Sequence, residues 1–489
     1  MIATSEREWE VVIGIEVHAQ ISSSSKLFSR SSTTFGSEPN QNVALFDAGI
    51  PGTLPSLNKE CVNQVLRTAL SLDAKINRHS RFERKHYFYP DLPKGYQISQ
   101  TKYPLVGTGK LVLFMGDNQE IEVGIERISL EQDAGKLTHD KSSSESLIDL
   151  NRAGIGLMEI VSSPSLRSSD EAKAYLSKLR MILRYIGACD GDMEKGSMRA
   201  DINVSVRRTG EPLGTRCEIK NVNSLKFVKQ AIKYEAQRQI EVLENNGTIE
   251  QETRLFDPIT GKTRTMRSKE KVHDYRYIPD PDLLELVIED STITRLRCTL
   301  PELPDAKRKR FIKEYEISSY DATLLTMNRE TADYYEAAVK ECNASGKAKL
   351  VANWITGDVA AHANTIGIPI WQLFTPKQVA SIVELITEGV ISGKVAKKIL
   401  ALLTDEHKGS DPRQLVEELR MHQIIDTKLI EEAVEQVITR EPIKAAQAIT
   451  KPAIIGWFVG QVLKETAGKS NPETVTKIVA KKISKHSCN

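Results

Sequence analysis

Hydrophobic and polar positions alternate along several stretches of the first three-fifths of the chain. In Glu10–Gln20 the apolar residues Val11, Ile13, Ile15 and Val17 fall on one side, which predicts a strand. Lys110–Ile128 predicts a hairpin: Leu111–Phe114 form one arm, Gly116-Asp117-Asn118 the turn, and Ile121, Val123 and Ile125 lie on one side of the other arm. Ala200–Arg207 alternates cleanly, with Ile202, Val204 and Val206 on one face and Asp201, Asn203 and Ser205 on the other. Two helices interrupt these strands. One opens at the capping box Ser168-x-x-Glu171 and keeps apolar residues at helical spacing from Ala172 to Ile186, before Gly187. The other runs from Asn223 or Ser224 to about Asn245.

Beyond Pro301-Glu302-Leu303-Pro304 the texture changes to helical period broken by short turns. The chain therefore divides into a β-rich region over 1–295, a helical domain over 296–405 and a helical tail over 406–489, an α+β organisation. A length of 489 residues is ample for three domains. The formal charge of +2 excludes a uniformly basic nucleic-acid coat, and 40% apolar residues exclude a disordered chain. Charge is instead local. Residues 411–441 carry four basic against eight acidic side chains, and residues 442–489 carry eight lysines against two glutamates. A lysine-rich helical tail fits either a solvated face or a contact with phosphates. The six cysteines are scattered, with no C-x-x-C pair, and read as reduced thiols of a cytoplasmic protein. No signal-peptide core and no uncharged apolar run near 18 residues is present, so no membrane association is expected.

Neither a G-x-x-x-x-G-K-[ST] loop nor H-E-x-x-H occurs. What stands out is acidic residues and a histidine inside strand-like apolar segments. Glu16 and His18 in IGIEVHAQ, and Glu131 and Asp133 in LEQDAGK, are spaced i, i+2 and share a face. Glu159 sits between apolar neighbours in GLMEIV, Asp201 and Asn203 share a face, and so do Arg216, Glu218 and Lys220. Buried carboxylates must be paired or bound to a cation. Two readings stand: these acids pair with the plentiful arginines or face water, or they converge with the imidazole on a hard divalent cation such as Mg²⁺. The segment RFERKHYFYPDLPKGYQISQ gathers Arg81, Arg84, Lys85 and His86 beside Tyr87, Phe88 and Tyr89, followed by Lys94. That mixture suits nucleotide phosphates and stacked rings, or a basic surface strand with aromatics in the core. HDYRYIPDPD, from His273 to Asp282, is a shorter version of it.

These segments, with KLFSRS, FGSEPN, GIPGTLP, DLNRAGIGLMEIVSSP, GSMRADINVSV, EIKNVNS and DYRYIPDPDL, occur in an order that resembles the B subunits of aspartyl/glutamyl-tRNA amidotransferases. The resemblance continues through LPELPDAKR, NWITGDV and the GWFVGQVLK tail. It implies a cradle-shaped β-rich domain followed by a helical domain and a tRNA-binding helical tail. It also implies a cytoplasmic ligase that phosphorylates the side-chain carboxylate of Glu-tRNA(Gln) or Asp-tRNA(Asn) with ATP and Mg²⁺, then amidates it. Ammonia is expected from the amidase (A) partner, held in a heterotrimer by a small third (C) partner; the chain itself carries no amidase serine-lysine signature and no glutaminase cysteine motif. By the same resemblance Glu16, His18, Glu131 and Glu159 belong to the Mg²⁺ pocket, with Asp133 and Asp201 as secondary candidates. Lys94, Glu131 and Glu218 are expected at the end of the ammonia route, and Arg81, Arg84, Lys85, Tyr87 and Tyr89 near the nucleotide or the acceptor end. Some relatives carry a four-cysteine zinc site where this chain has Ser29, Ser31, Ala44 and Asp47. Without thiolates there, no zinc is expected and packing must hold the loop.

Overall fold

The computed structural model describes residues 9–115, 119–139, 145–268, 275–342, 346–405, 407–422, 427–451, 453–466 and 469–486. It divides into two compact units between Leu303 and Pro304.

The first unit is built on a mixed sheet of eight strands: β1 (Trp9–Gln20), β2 (Gly109–Phe114), β3 (Glu120–Gln132), β4 (Gly156–Ser162), β5 (Met198–Arg208), β6 (Cys217–Lys220), β7 (Glu252–Asp257) and β8 (Lys262–Ser268). Their spatial order is β8-β7-β6-β5-β1-β4-β3-β2. Neighbours are antiparallel except β6 and β7, which run parallel and are joined through a helix, as parallel pairs require. The expected strands over 10–20 and 200–207 and the hairpin arms are all present, the arms pairing Leu113 with Ile121. The predicted turn Gly116-Asp117-Asn118 lies outside the described residues. β3 runs four residues beyond the expected hairpin, and that extension carries Glu131.

Strand alternation makes the sheet two-faced. Ile13, Ile15, Val17 and Ala19 point to one side, where they join Ile202, Val204, Met158, Ile160, Ile128 and Leu130 in a single buried core. Helices α1 (Lys59–Ser71), α2 (Ser169–Tyr185) and α3 (Leu225–Glu244) contribute Val65, Leu66, Leu176, Leu179, Leu183, Val228 and Ile232 to that core. Ser168 Oγ caps α2 by accepting from Glu171 N at 3.1 Å. The Glu171 carboxylate reaches one residue further than a capping box requires, accepting from Arg167 N at 2.7 Å. Ser224 caps α3 through Phe227 N. The opposite, polar face of the sheet is partly roofed by a small sheet of Glu83–His86, Tyr96–Ser99 and Ile278–Pro279. Gln97 pins this roof to β3 by donating to Gln132 O at 2.8 Å.

The loop over 26–58, where no thiolates stand, is held by a buried ion pair. Lys26 Nζ lies 3.1 Å from Asp47 Oδ2, and the same carboxylate accepts from Ser29 Oγ and from Ala44 N. The second unit is helical and holds two apolar cores. One runs from Phe311 to Val416, and the other, from Ile430 to Ile483, belongs to the last four helices. Among the described residues no helix is long and apolar enough to cross a membrane.

Candidate active site

Register brings the scattered acids together. On β1, Glu16 faces Asp201 of β5, while His18 faces Arg199 of β5 on one side and Glu159 of β4 on the other. One strand further, Glu159 faces Ser129 of β3, two residues before Glu131. Glu218 and Lys220 extend the row on β6. These side chains belong to the polar face, which encloses a cavity of about 930 Å³ lined by Glu16, His18, Glu131, Asp201, Arg199 and Lys220, with Lys85, Tyr87, Tyr275 and Tyr277 from the roof.

Ligand atoms of Glu16, His18 and Asp201 lie within 4.8 Å of one another. His18 Nε2 is 3.4 Å from Glu16 Oε1 and 3.5 Å from Glu131 Oε1. Lys220 Nζ is ion-paired with Asp201 and lies 3.1 Å from Glu218 Oε1. Glu218 also accepts from Thr253 Oγ1 at 2.9 Å. Burial and then repulsion from Glu159 raise the pKa of Glu16 and of the enclosed Glu131 above the usual carboxylate range. Burial lowers that of His18, which favours the neutral imidazole. Burial alone would pull Lys85 and Lys220 down, yet Glu131 holds Lys85 above its ordinary value, and Asp201 with Glu218 does the same for Lys220. Carboxylates lifted by burial and by repulsion from Glu159, beside a neutral imidazole, would be relieved by a bound cation. An oxygen-rich set with one nitrogen donor fits Mg²⁺ or Mn²⁺.

Other candidates stand apart from this cluster. Glu159 turns to Arg127, 2.8 Å away, and acts on the cavity through its charge. Asp133 reaches the cavity wall but is held by Arg199 at 2.9 Å and by Arg152 at 3.5 Å. Lys94 lies outside the lining: its ammonium sits 4.0 Å from the centre of the Phe46 ring and donates to Gln132 Oε1. Lys85 is the roof lysine whose charge Glu131 favours. Arg81 and Arg84 also point elsewhere, Arg81 to Glu285 and Arg84 to Asp280 and Asp282. Tyr89 is outside the cavity, edge-on to Tyr87. Sequence reasoning misses Arg199, although it is two residues before Asp201 in the same alternating segment. His273 and Asp274 of the HDYRYIPDPD segment lie outside the described residues, while its Tyr275 and Tyr277 line the wall.

A family model described as the GatB/GatE catalytic domain matches residues 11–294, and one described as the GatB domain matches residues 333–483. The chain is 58% identical over 484 residues to the B subunit of the aspartyl/glutamyl-tRNA(Asn/Gln) amidotransferase of Beijerinckia indica, covering 99% of this chain and 98% of that one. The protein of the same name from Methylocella silvestris is 58% identical over 476 residues, 97% of this chain and 96% of its own. That from Bartonella tribocorum is 56% identical over 482 residues, 97% and 95%. With one fold, one site and this likeness along nearly its whole length, the chain belongs to the family of aspartyl/glutamyl-tRNA(Asn/Gln) amidotransferase B subunits.

Proposed function

We propose that this chain is the ATP-dependent kinase and transamidase component of a cytoplasmic tRNA-dependent amidotransferase, a ligase acting on Glu-tRNA(Gln), Asp-tRNA(Asn) or both. The observation that carries the reading is the convergence of Glu16, His18 and Asp201 in one cavity that also holds the cations Lys85, Arg199 and Lys220. A carboxylate resists attack by ammonia because oxide is not a leaving group. Transfer of a phosphoryl group removes that obstacle. A carboxylate oxygen of the substrate attacks the γ-phosphorus, the bond to the ADP oxygen breaks, and an acyl phosphate forms. Ammonia then attacks the acyl carbon, the carbon–oxygen bond to phosphate breaks, and the nitrogen loses one proton.

Such chemistry asks for positioning and charge neutralisation more than for a protein nucleophile. Glu16, His18 and Asp201 would hold Mg²⁺, which when bound supplies neutralisation of the phosphate oxygens. Lys85, Arg199 and Lys220 line the same walls and balance further phosphate charge. Glu131, beside His18 and in the field of Lys85, would take the proton from the attacking nitrogen, and Glu218 with Lys220 would form a second acid–base pair on β6. The ammonia would come from a partner amidase, with a small third protein completing the assembly, and the lysine-rich tail would contact tRNA.

The test is a reconstituted complex supplied with Glu-tRNA(Gln), glutamine, ATP and Mg²⁺, with ADP and amide both followed. Glu16→Gln and His18→Ala are expected to lower tRNA-dependent ADP formation by roughly 100-fold or more while tRNA still binds. Undiminished ADP formation by His18→Ala would sink the assignment.

A further inference from the structure

The aromatic residues beside the cavity extend beyond its wall. Tyr87, Tyr275 and Tyr277 line it, and their rings meet edge-on, with centroids 6.4 Å apart for Tyr87–Tyr275 and 6.1 Å for Tyr275–Tyr277. Lys85 Nζ lies 4.9 Å from the centre of the Tyr275 ring. The row does not stop at the wall. Tyr89 continues it 6.0 Å from Tyr87, and it is 57% exposed, while neighbouring Phe88 is 80% exposed. Neither ring lines the cavity.

The loop that presents them is built to do so. Tyr87 N donates to Gly95 O, Leu92 N to Tyr89 O and Gly95 N to Leu92 O, so the segment closes on itself. Gly95 has φ of +73°, and a side chain there would come within 3.1 Å of the Phe88 ring. The absence of that side chain seats one side of Phe88 against backbone and leaves the rest of the ring to solvent. Held outward by a tied loop, both rings keep more than half of their surface in water.

One nucleotide has one base, and the three tyrosines of the wall suffice for it. Rings beyond the wall need an occupant that is continuous with the reacting group and carries more bases. We propose that Phe88 and Tyr89 are the outer steps of an aromatic track for the unpaired 3′-terminal nucleotides of the aminoacyl-RNA, on which bases stack as the acyl end enters the cavity. This rests on the amidotransferase reading given above. Stacking of this kind needs a π-face and not a particular base.

The experiment measures binding without turnover, by fluorescence anisotropy of a 5′-labelled single-stranded RNA tetramer ending in C-C-A, and by calorimetry with MgATP on the same full-length protein. Phe88→Ala is expected to weaken the tetramer roughly tenfold. Phe88→Trp should restore it, Phe88→Leu should not, and affinity for MgATP should stay as in wild type for all three. Tyr89→Ala should weaken the tetramer in the same sense. Because Phe88 is mostly exposed, these variants keep the thermal unfolding curve of the wild type. Wild type that fails to bind the tetramer at low salt, a Phe88→Ala variant that binds it equally well, or a Leu variant as good as wild type would each overturn the proposal. So would MgATP weakening while the tetramer does not, which would assign the ring to the adenine of ATP. Tetramer binding with no ADP formation in the reconstituted complex would instead count against phosphoryl transfer and leave the track standing.

Discussion

At the scale of residues, Lys94 shows how burial shifts a chemical state. Its ammonium lies over Phe46 with a single amide acceptor, and burial, helped by the nearby Lys26 and Arg84 charges, pulls its pKa down to about 8. Between pH 8 and the ordinary lysine range the folded chain has shed this proton while the unfolded chain keeps it, so stability from this group rises with pH across that window. Below pH 8 the folded state carries the buried charge and the gain is absent. In urea titrations from pH 7.5 to 10, Lys94→Met should flatten that rise; an identical slope in wild type and variant would show that Lys94 carries no such shift. Resemblance put Lys94 at the end of the ammonia route, and a lysine followed by Gly and Tyr has no local feature that says which way it turns. Glu16, His18 and Asp201 were legible because two-residue alternation fixes a shared face wherever one side of a strand is apolar. Arg81 and Arg84 were not, since their partners Glu285, Asp280 and Asp282 lie some two hundred residues away.

At the scale of elements, the strands and the two capped helices followed from periodicity and from Ser168 and Ser224. Sheet order did not, because nothing local tells β1 that its neighbours are β4 and β5. The 26–58 loop is a further case. Its polar, serine-rich sequence hides the fact that Lys26 and Asp47 are both fully enclosed. Removing one member leaves a buried charge without its partner, which costs about 3–5 kcal/mol. Asp47→Ala and Lys26→Met should each lower the urea midpoint of the first unfolding transition accordingly, and Lys26→Met/Asp47→Leu should recover part of the loss. Additive loss in the double variant would mean that the pair does not tether the loop.

For the whole molecule, the cavity is a meeting point of β1, β3, β5, β6 and the roof, so cation binding there is linked to folding of the entire first unit. Mg²⁺ at about 100 times its Kd should add about 2.7 kcal/mol to that unit's stability, seen as a rise in its unfolding temperature. Glu16→Gln should abolish the rise. Burial and repulsion lift Glu16 and Glu131, so protons compete with the cation and the rise should shrink as pH falls through their elevated range. A pH-independent rise, or one that survives in Glu16→Gln, would place the cation elsewhere.

The position of β1 has a consequence for how the chain is made. Of the eight strands of this sheet β1 is synthesised before the others yet lies centrally in the finished sheet, and its two partners begin at Gly156 and Met198. At about 5–20 residues per second, on the order of 10–40 s pass before both partners have been synthesised. Until β4 is made, a twelve-residue segment rich in valine and isoleucine has both edges without a partner, and until β5 is made it still has one. Glu16 and His18 on β1 thus wait for Glu131, Asp201 and Lys220 to be made before the cavity can assemble, and a chaperone that shields extended apolar segments would cover β1 in the meantime.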